Sequence, residues 1–168
     1  MDLENNRSSQ KDPDFVWQEL LRLECLGCTA RVCERPIVIL PLSMVFSKKM
    51  RLVVDASRGL NPYLLKRDVP LEGLDTFAEI LRKGDFVAID DLDSGYWQVP
   101  LHPDMYQYCG VHYQDPQSGE VVFWTWRVLF LGIKDAVYIF THLLQPVVQY
   151  LRKAVSYTHL TLPTICSV

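Results

Sequence analysis

Phe86-Val87-Ala88-Ile89-Asp90-Asp91-Leu92-Asp93-Ser94-Gly95-Tyr96 is the stretch on which the reading of this chain turns. Four apolar residues in a row make a short buried strand. That strand brings carboxylates to its carboxyl end. Gly95 then allows the backbone to turn tightly, and Tyr96 stands five positions after Asp91. An acid held by a rigid strand can be aimed at a divalent cation. Nucleotidyl transfer needs such an acid, because two metal ions must clamp the attacking and leaving oxygens. In isolation the pattern is weak, since many strands end in Asp, so its neighbours carry the weight.

Working outward, Leu74, Phe77, Ile80 and Leu81 are spaced for one face of a helix that Gly84 ends. Residues 97–101 continue as strand or turn. Val111–Tyr113 and Val121–Trp126 flank the polar run 115–119, which predicts a hairpin. Nearer the N-terminus, Asp12 followed by Pro13 is a helix start, and Gly27 is placed as its C-cap. Residues 36–46 are β-rich, with two prolines marking an edge or bent strand. Ser47-Lys48-Lys49 reads as a hairpin turn, and Arg51–Asp55 as the returning strand. The span 136–153 reads as a helix kinked at Pro146. Residues 1–11 are polar and read as disordered. The stretch 156–168 has no helical or strand period. It resembles the translation of a sequencing-library adapter and is set aside as a non-native tail.

At 168 residues the chain has the length of one domain, and its 49% apolar content is enough for a core. No run is long and uncharged enough to span a bilayer, which implies no membrane partner. The first ten residues lack an apolar signal core, so an intracellular setting, cytoplasm or nucleus, is the expectation. A net charge of −3 argues against strong non-specific nucleic-acid binding by the whole chain. Lys48, Lys49, Arg51, Arg58, Lys66 and Arg67 nevertheless cluster between acidic segments and allow a local basic groove. Cys25, Cys28 and Cys33 lie close together, with no fourth ligand near in sequence. They read as buried free thiols, with zinc or redox chemistry as the alternative. His102, His112 and His142 show no ligand spacing. Trp97, Trp124 and Trp126 read as core residues, with base stacking as the alternative.

From about Phe15 to Ala154 the chain resembles the fingers and palm of a retrotransposon reverse transcriptase. The fingers hairpin is matched by Pro41-Leu42-Ser43-Met44-Val45, Lys48-Lys49 and Arg51–Asp55, and the run after it by Arg58-Gly59-Leu60-Asn61 with Tyr63-Leu64. Gly84-Asp85-Phe86 and Asp91–Tyr96 are similar to the first palm motif. His102-Pro103 and Tyr108-Cys109-Gly110-Val111 resemble the segment that follows it. Leu129-Phe130-Leu131-Gly132-Ile133, with Ala136 and Phe140-Thr141, resembles the second palm motif. Each block is modest alone; their shared order is specific.

The resemblance implies an α+β fold over residues 12–155: partial fingers and palm of a right-hand polymerase, with an antiparallel palm sheet backed by helices. It implies RNA-directed DNA synthesis with Mg²⁺ or Mn²⁺, on an RNA template with a DNA primer and deoxynucleoside triphosphates. Asp91 would be the catalytic metal ligand, since it has the family spacing to Tyr96. Asp90 is the alternative, because alternation along a strand puts the two acids on opposite faces. Tyr96 would pack under the incoming sugar and exclude a 2′-hydroxyl. Lys49 and Arg51 would grip the triphosphate, and Leu131 and Gly132 would line the nucleotide side of the site. Lys134 would be a surface residue rather than a phosphate contact.

The sequence also departs from the family. No aromatic-x-Asp-Asp run follows, and no thumb. Phe130 and Val137 stand where Pro is usual, and Asp90 where an apolar residue is usual. The stretch 55–58 has one residue more than the commonest spacing. The expectation is a truncated polymerase, inactive alone; the alternative is a degenerate, non-catalytic nucleic-acid-binding or assembly module. Nothing in the sequence fixes an oligomeric state.

Overall fold

The computed structural model describes residues 3–69, 83–84 and 91–154. The helix expected over 74–81, residues 86–90 of the strand expected over 86–91, and the tail 156–168 lie outside them; Asp91, the last residue of that expected strand, is described and is not in a strand. The named elements are helices α1 (Pro13–Cys25) and α2 (Ala136–Ala154), and strands β1 (Thr29–Val32), β2 (Leu42–Val45), β3 (Arg51–Val54), β4 (Gly110–Gln114) and β5 (Val121–Trp126). The mixture of helix and antiparallel sheet is α+β. The chain divides into two compact units, Met1–Leu65 with Ser94–Ala136, and Lys66–Asp93 with Val137–Val168.

In the first unit, α1 begins where the sequence signals it. The Asp12 side chain accepts a hydrogen bond from the Phe15 amide at 3.0 Å, and Pro13 occupies the first turn. Gly27, at φ +73°, ends the helix, and the Cys28 amide donates back to the Leu23 carbonyl. Val16, Leu20 and Leu23 form the buried stripe.

A three-stranded antiparallel sheet, ordered β1-β5-β4, forms the floor. The β4–β5 hairpin closes as expected, with Asp115 Oδ1 accepting from the Gln117 amide at 2.8 Å. Trp124 is fully buried on β5, and the Trp17 ring of α1 meets it edge-on at 5.4 Å. Trp124 Nε1 also donates to Glu24 Oε2 at 3.0 Å, so this core tryptophan keeps its polar atom satisfied. Truncating such a side chain costs about 3–5 kcal/mol. β1 has no strand pattern of its own; pairing with β5, Thr29 opposite Trp126, creates it.

The β2–β3 hairpin is separate and antiparallel, with Leu42 opposite Val54 and Val45 opposite Arg51. Of the strand or turn expected over 97–101, the start is a turn, the 3₁₀ turn Gly95–Gln98, and strand-like pairing begins only at Pro100, bridged to Val128. One expectation changes. The polar N-terminus is not disordered over Leu3–Lys11. It holds a 3₁₀ turn, Arg7–Gln10, with Ser9 fully buried. Its polar side chains bond to neighbouring strands, which composition does not reveal.

In the second unit, α2 carries Pro146 inside it. Arg67 stacks over Tyr138, 4.7 Å from the ring centre, and Lys66 lies 3.6 Å from Asp68. Among the described residues no helix is long and apolar enough to cross a membrane.

Candidate nucleotide site

The loop after β5 is built on the end of β3. The Leu129 amide donates to the Val99 carbonyl, and the Leu101 amide to the Arg127 carbonyl, both at 2.8 Å. This short ladder ties the Tyr96 turn to the loop. Leu129 and Phe130 are buried, and Phe130 packs on Trp126 with ring centres 4.9 Å apart. Phe130 is thus a core residue. Leu131 then turns outward and is 53% exposed.

Gly132 follows at φ +110°, and a Cβ there would lie 2.5 Å from the Val54 carbonyl oxygen. Only glycine permits both the dihedral and the approach. The Asn61 side chain locks the same loop: its Nδ2 donates to the Gly132 carbonyl at 2.7 Å, and its Oδ1 accepts from the Lys134 amide at 2.8 Å. Lys134 Nζ donates to the Leu64 carbonyl at 3.1 Å. Lys134 therefore ties the loop to the residues after Asn61. Sequence alone does not mark Asn61 as a site residue, because its partners lie 71 and 73 residues away and leave no local signal.

Tyr96 is nearly buried, and burial pushes its phenol above the ordinary value, so it remains a neutral hydroxyl. Ser94, two residues before it, sits in the left-handed region at φ +52°. Strained non-glycine residues of this kind concentrate at functional turns.

Lys48, Lys49 and Arg51 are exposed at the far end of the β2–β3 hairpin. Arg51 opens the strand whose last residue, Val54, touches Gly132, about 10 Å away at the usual strand rise. The structure therefore joins the Arg51 strand, the Leu131–Gly132 loop and the Tyr96 turn within one unit. The six cations grouped in sequence divide: Lys66 and Arg67 belong to the second unit.

Asp91 also belongs to the second unit. It is exposed and lies outside any helix or strand. Its carboxylate offers solvent-accessible hard oxygens, the ligand type that Mg²⁺ takes. One carboxylate is a single ligand of an octahedral shell. No three His, Cys, Asp or Glu side chains group to hold a metal among the described residues.

The cysteines do not form a site there either. Cys28 is buried, but Cys25 and Cys33 are exposed, which corrects the expectation of three buried thiols. Burial raises Cys28, and it pushes the Cys109 thiol up to about 12, away from thiolate chemistry. His102 is exposed and caps the 3₁₀ turn Pro103–Tyr108. Compared with known proteins, the chain matches no family model and no curated protein.

Proposed function

We propose that the chain is the fingers and first palm portion of an RNA-directed DNA polymerase. The ordered series of blocks from Pro41 to Thr141 carries this reading. Its structural support is Gly132, where a close backbone approach joins the loop of the second palm block to the strand that Arg51 opens.

In this reading Lys49 and Arg51 hold the triphosphate oxygens, Arg51 through paired N–H donors and Lys49 as a point charge. The buried, neutral Tyr96 supports the sugar and leaves no room for a 2′-hydroxyl. Leu131 presents an apolar surface to the nucleotide, while Asn61 and Gly132 hold that loop in place. Asp91 would be a Mg²⁺ ligand, and the chemistry such an ion would supply is charge neutralisation. The primer hydroxyl would attack the α-phosphate in line, releasing pyrophosphate.

Equilibrium binding of thymidine triphosphate with Mg²⁺, followed by isothermal calorimetry, tests the roles. Arg51→Ala is expected to weaken binding by about ten- to a hundred-fold, the loss of a charge-assisted contact. Asp91→Asn is expected to remove only the Mg²⁺-dependent part. Equal affinity in wild type and both variants would overturn the assignment.

A further inference from the structure

We propose that the outer edge of β2 is a strand-docking site whose occupant is the chain's own N-terminal segment, residues 5–9. An edge strand presents unpaired N–H and C=O groups, and a buried one must satisfy them. Along β2 the outward groups are those of Leu42 and Met44, because alternate residues face β3.

The segment meets three of these groups one by one. The Leu42 amide donates to Asn5 Oδ1 at 2.8 Å, the Asn6 amide donates to the Leu42 carbonyl at 3.0 Å, and the Met44 amide donates to Ser8 Oγ at 3.0 Å. The Asn6 side chain adds a hydrogen bond to Ser43 Oγ. Two side chains and one backbone amide thus replace a third strand.

The same segment reaches the other sheet. Asn5 Nδ2 donates to the His112 carbonyl at 2.9 Å, and Tyr113 Oη donates to the Ser9 carbonyl at 2.7 Å. Lys11 stacks over Phe46, 5.2 Å from its ring centre, near the hairpin tip. The strap therefore fastens the hairpin that carries Lys49 and Arg51 to β4. It also closes an edge that would otherwise recruit another strand. This inference does not depend on the polymerase reading.

Amide hydrogen exchange on the full chain reads it directly. In the double variant Asn5→Ala/Ser8→Ala the Leu42 and Met44 amides should exchange roughly 5–30-fold faster, as loss of 1–2 kcal/mol of local bonding implies. Val111 and Trp124 in the other sheet should keep wild-type rates. A synthetic peptide of residues 3–11, added in excess to the variant, should slow Leu42 and Met44 again. If the double variant does not fold, Ser8→Ala alone should accelerate Met44 and spare Val111. Unchanged exchange at Leu42 and Met44, acceleration spread equally over all strands, or no rescue by the peptide would each overturn the proposal.

Discussion

A single missing β-carbon decides how the site loop sits. Gly132 combines a left-handed dihedral with a carbonyl where a side chain would begin. Gly132→Ala should therefore cost about 1–3 kcal/mol, more than an ordinary surface substitution. Urea unfolding followed by tryptophan fluorescence would measure it; a cost within experimental error would show that the loop can move away from Val54. Gly132 was legible in the sequence because its block marks it. Asn61 was not, since a side-chain amide reveals its partners only once the chain brings the loop beside it. The left-handed Ser94 has no residue-type signature.

Among elements, those with local signals were read and those made by partners were not. α1 announces itself through Asp12, Pro13 and Gly27, and both hairpins through polar turns between apolar runs. β1 and the strap have no such pattern; β5 makes the first a strand, and the bare edge of β2 orders the second. The turn leaving β3 carries a testable charge. The Ser57 hydroxyl donates to Asp55, and with help from the Ser57 amide and the Asn6 side chain it holds this carboxyl below its ordinary value, against the opposing effect of burial. A lowered folded-state value means stability that is fully present above about pH 4 and is lost as pH falls through the lowered value. Ser57→Ala should thus destabilise the chain at pH 7 by a fraction of the roughly 1 kcal/mol typical of such a bond, and the difference should shrink toward pH 2. Urea midpoints for both proteins across that range would check it; a difference constant with pH would assign the effect to packing.

At the scale of the molecule, antiparallel sheets with helices agree with the α+β expectation. The fingers-and-palm assignment is the finer proposal built on it. The division into two units was not legible, because the second unit draws on two stretches far apart in sequence. Lys49, Arg51, Tyr96, Leu131 and Gly132 share one unit, and Asp91 belongs to the other. The central claim is that Asp91 is a metal-binding acid of template-directed synthesis. It is tested most directly by Mg²⁺ binding to the chain, followed by isothermal calorimetry with a primed RNA template and thymidine triphosphate present. The account predicts Mg²⁺ binding that Asp91→Asn weakens about tenfold or more. Equal Mg²⁺ affinity in the wild type and Asp91→Asn would contradict it.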